Sequence, residues 1–81
     1  MNITVTQQHI DKGVRGSTTS DPVALAMKSA GLEKPWVSPA YLAWRKDNKD
    51  YSVLAPESVL EFLKRFDNGS PSEPFEFLVE V

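Results

Sequence analysis

The chain contains one histidine, and its neighbours decide whether it could act in acid–base catalysis. The carboxylate nearest to His9 in sequence is that of Asp11. A general base needs a partner within hydrogen-bond distance, and side chains two residues apart on a helical turn point in different directions. We therefore interpret His9 as a surface or half-buried residue and predict no catalytic residue. One histidine without any cysteine also argues against a zinc site, so we predict no metal and no cofactor.

A cluster of hydroxyl side chains at residues 17–20 could bind phosphate if it lay at the start of a helix. The preceding segment, residues 13–16, lacks the pattern of a phosphate-binding loop, because no lysine stands before a serine or threonine at the helix start. Asp21 would also repel an anion there. We interpret the cluster as a helix cap and a surface loop, and we expect Ser17→Ala to change the free energy of unfolding by no more than about 0.5 kcal/mol.

Aromatic side chains are concentrated in one part of the chain. Two tryptophans and two tyrosines fall within sixteen residues that have the composition of short strands. Aromatic side chains dominate the cores of small domains, but Trp, Tyr and Arg are also the usual anchors of protein interfaces. The sequence leaves both alternatives open. The candidate partner-binding residues are Trp36, Tyr41, Trp44, Arg45 and Tyr51.

Length and composition predict one globular domain over residues 1–81, because 41% of the residues are hydrophobic and 25% are charged. The chain has neither a basic N-terminal region nor about 20 consecutive apolar residues, so we expect a cytoplasmic protein without a membrane segment. A domain this small leaves much of its surface uncovered. A homodimer is therefore a further expectation.

Net charge bears on nucleic-acid binding. The chain carries a formal charge of −2, whereas a dedicated nucleic-acid binder normally has a basic surface and a high isoelectric point. An alternative function nevertheless stays open, in which a nucleic-acid-binding accessory protein combines basic side chains with aromatic stacking on bases. It would use Arg45, Lys46 and Lys49 together with Trp36 or Trp44.

Apolar periodicity predicts the order strand, helical turn, helix, two or three strands, helix and strand. The last two of the middle strands are expected to form a hairpin around the polar turn at residues 46–50. The first main helix is expected at about residues 21–30, capped by Ser20 and Asp21, with an apolar stripe formed by Val23, Ala26, Met27 and Ala30. The second is expected after Pro56, with the apolar stripe Val59, Phe62, Leu63 and Phe66. In the last strand Phe75, Phe77, Val79 and Val81 should face inward. The predicted fold is α+β, with a small antiparallel or mixed sheet of four to five strands, two main helices on one face, and the first and last strands adjacent.

Four segments together resemble a group of short bacteriophage and prophage proteins that has no assigned activity. They are Ile3-Thr-Val-Thr-Gln-Gln-His-Ile-Asp-Lys-Gly13, Asp21-Pro-Val-Ala-Leu-Ala26, Phe62-Leu-Lys-Arg-Phe-Asp67 and Pro74-Phe-Glu-Phe77. Members of the group often have a cysteine where this chain has Asp21, which argues against a thiol-dependent role. The resemblance implies a phage product that acts inside a bacterium. Together with the aromatic segment, it predicts a non-enzymatic protein that binds a host protein of bacterial defence or transcription.

Overall fold

Three helices and five strands alternate along the chain in the computed structural model, which describes residues 1–80. In chain order they are β1 (Asn2–Val5), α1 (Gln7–Lys12), α2 (Pro22–Ser29), β2 (Glu33–Val37), β3 (Tyr41–Lys46), β4 (Lys49–Leu54), α3 (Glu57–Asp67) and β5 (Phe75–Leu78). The fold is α+β, as the sequence predicts. The Cα radius of gyration of 11.4 Å is close to the value of about 12 Å expected for one domain of this length.

The strands form two antiparallel sheets, whereas the sequence pattern placed them in one. β1 pairs with β5, with Ile3 opposite Phe77, so the predicted adjacency of the first and last strands is confirmed. The other three strands form a separate sheet in the order β2-β3-β4. A loop takes the place of a neighbouring strand beside β2, because the Val37 amide donates to the Thr18 carbonyl (2.8 Å).

Polar side chains cap the starts of the first two helices. The Thr6 hydroxyl accepts a hydrogen bond from the His9 amide at the start of α1 (3.3 Å), and the Asp21 carboxylate accepts one from the Ala24 amide at the start of α2 (2.7 Å). Pro22 occupies the first turn of α2, where a missing amide hydrogen costs nothing. Gly31 follows the helix with φ +94°, a conformation that glycine adopts without strain.

Small residues let α2 pack closely. Ala24 and Ala26 are buried, and a Cβ atom at Gly13 would lie 2.5 Å from the ring of Pro22, so the chain before the helix also needs a residue without a side chain. Ala30, which the sequence placed on the same buried stripe, is exposed because it lies beyond the last turn. The alanine run is therefore explained by packing rather than by a ligand.

The core lies between the helices and the inner faces of both sheets. Val59, Phe62 and Leu63 of α3 are buried as predicted. The ring centroids of Phe62 and of Phe75 on β5 are 4.7 Å apart. The predicted inward direction of Val81 falls outside the described residues. The other buried apolar side chains are those of Ile3, Val5, Val23, Ala24, Ala26, Met27, Leu32, Val37, Leu42, Trp44, Phe77 and Val79.

Candidate binding surface

A tight hairpin fixes which aromatic residues share a face of the three-stranded sheet. Asp47 and Asn48 connect β3 to β4 with φ values of +52° and +62°, as in the two-residue turns that match strand twist. The turn sets Trp44 opposite Tyr51 and places Tyr41 opposite Leu54. Since successive side chains of a strand point to opposite faces, Trp44 and Tyr41 lie on opposite sides of the sheet. The predicted hairpin is thus confirmed, and its register sorts the aromatic residues.

The inner face takes Trp44 into the core. Its side chain is 2% exposed and stacks on the half-buried ring of Tyr51, with 5.8 Å between ring centroids and 12° between planes. Leu42, two residues earlier, is fully buried on the same face. Of the two alternatives, core residue or interface anchor, the first therefore applies to Trp44. We remove Trp44 from the candidate partner-binding residues. Tyr51 packs against the core and presents only part of its ring.

The outer face keeps Trp36 and Tyr41 in contact with solvent. Their exposed fractions are 50% and 52%, and Leu54 beside Tyr41 is 74% exposed. Trp36 lies opposite Ala43 and Ala43 opposite Ser52, so small residues form the floor between the large ones. We call these residues the outer patch: Trp36, Tyr41, Ala43, Ser52 and Leu54. Leu54 was missed by the sequence analysis, although the hairpin register, once known, assigns it to this face.

Arg45 lies at one end of the outer face, with an acidic residue on each neighbouring strand. Its Nε atom is 3.8 Å from Asp50 Oδ1 on β4. In the pairing of β2 with β3, Arg45 lies opposite Glu33. The Arg45 side chain is 40% exposed. The Asp50 carboxylate offsets the charge of Arg45, so this end of the outer face is a polar rim rather than an anion site.

The basic residues of the nucleic-acid alternative do not share a surface. Lys46 and Lys49 form the closing pair of the hairpin, and strand alternation places their side chains on the face opposite to that of Arg45. Trp44 is buried and cannot stack on a base. Among the residues named for that function, only Trp36 and Arg45 lie on the outer face.

An open cleft of about 740 Å³ lies next to the outer patch, and Trp36 borders both. Its walls come from the loop before α2, the end of α2 and the start of β2. Lys34 in this wall has φ +47°, in a region that is unfavourable for residues other than glycine, at an irregularity in the pairing of β2 with β3. The lining residues are Thr19, Ser20, Lys28, Gly31, Leu32, Glu33, Lys34, Pro35 and Trp36.

His9 has a structural role. Its Nδ1 atom accepts a hydrogen bond from the Thr6 amide (3.0 Å), and its Nε2 atom is 3.0 Å from Ser29 Oγ. Because the lone pair of Nδ1 faces an amide hydrogen, the neutral ring carries its proton on Nε2, which donates to Ser29 and cannot accept its proton. Asp11 bonds to Gln7 instead (2.9 Å). The histidine therefore links α1 to α2 and is not arranged as a base for Ser29.

The hydroxyl cluster before α2 is used to close its own loop. Ser17 Oγ accepts hydrogen bonds from the amides of Ser20 (3.0 Å) and Thr19 (3.4 Å). The small effect expected of Ser17→Ala rested on an exposed loop position, whereas Ser17 is half-buried and its hydroxyl accepts these two hydrogen bonds. Two amides would lose their partner, so we now expect a cost of about 1 kcal/mol.

Asp21 is a carboxylate held inside the fold, with 3% of its surface exposed. Burial raises the pKa of Asp21 from 3.8 to about 6; the Ala24 amide, which donates to the carboxylate, opposes the rise, and the negative charge of Asp67 adds to it. An anion near the start of α2 would therefore meet a carboxylate that is mostly ionised at neutral pH. The predicted capping role of Asp21 is confirmed, whereas Ser20, the other predicted cap, belongs to the preceding loop. The carboxylate at this position disfavours phosphate.

Comparison of the chain with known protein families, with curated proteins and with solved structures finds no match. The resemblance to short phage proteins therefore stays a prediction based on the four quoted segments. Within residues 1–80 no three His, Asp or Glu side chains are grouped so that they could hold a metal ion. No helix in the same range is long and apolar enough to cross a membrane.

Proposed function

We propose that this protein is a non-enzymatic binding protein whose outer patch contacts another protein. The observation that supports this most is the exposure of at least half of Trp36, Tyr41 and Leu54 on one face of one sheet. Tryptophan and tyrosine are enriched among the residues that dominate interface energies. Clustered exposed apolar side chains are typical of interaction sites.

The shape and charge around the outer patch suit a protein partner. Ala43 and Ser52 form a shallow floor between larger side chains, and the pair of Arg45 and Asp50 supplies a polar rim. The cleft beside Trp36 offers a place for one side chain of the partner. Apolar anchors within a polar rim are the usual anatomy of a protein interface.

A non-enzymatic role is supported by the local geometry of His9. The only histidine of the chain is held in the tautomer that donates to Ser29, as its hydrogen bond with Thr6 requires. The hydroxyl loop before α2 is likewise engaged in hydrogen bonds to its own amides. Neither group offers an activated nucleophile.

The resemblance to short phage proteins suggests where the partner is found. A phage product that acts inside a bacterium would meet host proteins in the cytoplasm, and components of host defence or transcription are the proposed class of partner. This part of the proposal rests on the sequence resemblance alone.

The test compares the proteins that folded variants retain from bacterial lysate. The unaltered domain should capture one protein in stoichiometric amount, and Trp36→Ala should lose it. Leu78→Ala is the matched control, because Leu78 is 72% exposed but lies on β5, in the other sheet. Equal capture by Trp36→Ala, or no stoichiometric partner with a folded bait, would contradict the proposal.

A nucleic-acid function predicts a different result. Binding to single-stranded DNA should be detectable at about 50 mM salt, where phosphate contacts are strong, and should weaken as salt rises. We expect none, because the basic side chains are divided between two faces. The measurement therefore separates the two classes of partner.

A further inference from the structure

The two edges of the three-stranded sheet differ. At the β2 edge, Pro35 has no amide hydrogen and Val37 already donates to the Thr18 carbonyl, so a further strand could not pair there regularly. At the β4 edge, no other segment within residues 1–80 pairs with the strand. Six residues of β4 thus present one unpaired side. Open edges of this kind accept further strands.

The hydrogen bonds of the hairpin identify the groups on that open side. The Ala55 amide donates to the Ala40 carbonyl (3.0 Å), toward β3. Because successive amides of a strand point to opposite edges, the main-chain groups of Val53 also face β3. The amides and carbonyls of Ser52 and Leu54 therefore face outward, where a further strand would meet them.

Side chains on the inner face are also incompletely covered at this edge. Leu42 and Trp44 on the central strand are buried, whereas Tyr51 and Val53 on β4 are only partly so. Both are partly buried and pack against the core. A strand added beside β4 would lie next to these two side chains, so it would bury more of their apolar surface in addition to forming main-chain hydrogen bonds.

We propose that β4 pairs antiparallel with β4 of a second copy, around a two-fold axis at Val53, to give a six-stranded sheet. Ser52 then lies opposite Leu54 of the second copy and Tyr51 lies opposite its Ala55, so each large side chain meets a small one. The segment that pairs, residues 51–55, carries no charged side chain, and the charged residues Lys49 and Asp50 lie outside it. Ser52 and Leu54 exchange main-chain hydrogen bonds with the second copy in both directions.

This pairing joins the outer faces of two copies into one surface. Leu54 of each copy lies close to the two-fold axis, and Tyr41 lies one strand further away. Antiparallel pairing of identical strands is closed, because each β4 edge meets its own equivalent and no β4 edge remains for a third copy. The pairing does not depend on the proposed binding function.

Molar mass in solution tests the pairing. Light scattering after size exclusion should give a mass that rises with concentration from 9.0 kDa to twice that value. Ser52→Pro removes an outward amide and leaves the bonds to β3 intact, and proline is tolerated at such edge positions. The dissociation constant of its dimer should rise at least about tenfold. Its circular dichroism spectrum should match that of the unaltered protein, which shows that the variant is folded.

A cysteine at the two-fold axis provides an independent test of the register. The chain has no cysteine, and the two Val53 residues would form a pair whose Cα atoms are about 4.5 Å apart, within reach of a disulfide. Mild oxidation should convert Val53→Cys to a covalent dimer, and Ser70→Cys, in an exposed loop, should stay mostly monomeric. A mass of 9.0 kDa at every concentration would overturn the proposal, and so would equal cross-linking of the two cysteine variants.

Discussion

Trp36 and Trp44 lie eight residues apart in one sheet, but they face opposite environments. Trp44 is 2% exposed on the inner face, and Trp36 is 50% exposed on the outer face. The same residue type therefore contributes to the fold at one position and to the surface at the other. What distinguishes the two positions is the register of the strands, because residue type alone leaves both core and surface open for a tryptophan.

The strongest test of this contrast removes Trp44. Trp44→Ala deletes a buried indole and its stack with Tyr51, so it should lower the free energy of unfolding by about 3 to 5 kcal/mol. Urea denaturation followed by circular dichroism measures the change. Trp44→Phe, which keeps an aromatic ring, should lose less. A cost below about 1 kcal/mol for the alanine variant would mean that Trp44 is not part of the core.

The second-largest effect on stability is expected at the buried carboxylate of Asp21. Because the pKa of Asp21 is raised from 3.8 to about 6, the folded protein holds its proton more tightly than the unfolded chain. The contribution of Asp21 to stability therefore falls as pH rises between these values, and at pH 7 the ionised group costs about 2 to 3 kcal/mol. Asp21→Asn, which keeps a good helix cap, should be more stable than the unaltered protein by that amount.

The pH dependence of the difference identifies its cause. Below the lower of the two pKa values the aspartate is protonated in both states, so the two proteins should have nearly equal free energies of unfolding. The difference should grow as pH rises through the range from 3.8 to about 6 and then level off. If Asp21→Asn is instead less stable at pH 7, the favourable interaction of the charge with the helix exceeds the cost of burial.

Local signals predicted most of the elements. Asp21-Pro22 marks the start of α2, the stripe of α3 faces the core, and the polar turn at Asp47 and Asn48 joins two strands as expected. These features depend only on residues that are close in sequence. The division into two sheets could not be predicted, since it depends on which distant segments meet in the fold, and at Val37 the outer edge of β2 meets a loop residue, Thr18.

The candidate surface was only partly predictable. The aromatic residues lie on strands, as predicted. The pattern around Trp36 and Val37, however, does not show which of the two faces the core, because both are strand-forming and apolar. The irregular pairing of β2 near Lys34 decides it. Leu54 depends on the hairpin register in the same way.

The smallest expected effect on stability is at the outer patch. Trp36→Ala removes a ring that is half exposed, so it should change the free energy of unfolding by no more than about 0.5 to 1 kcal/mol. The same denaturation experiment that measures Trp44→Ala gives this value. A loss as large as that of Trp44→Ala would remove the distinction between the two faces.

Fluorescence quenching of variants with one tryptophan tests the division between the two faces most directly. The chain has two tryptophans, so Trp44→Phe leaves only Trp36 as emitter and Trp36→Phe leaves only Trp44. Acrylamide should quench Trp36 strongly and Trp44 weakly in the folded protein, and equally in denaturant. Equal quenching of the two in the folded state, or stronger quenching of Trp44, would contradict the assignment of Trp36 to a binding surface and of Trp44 to the core.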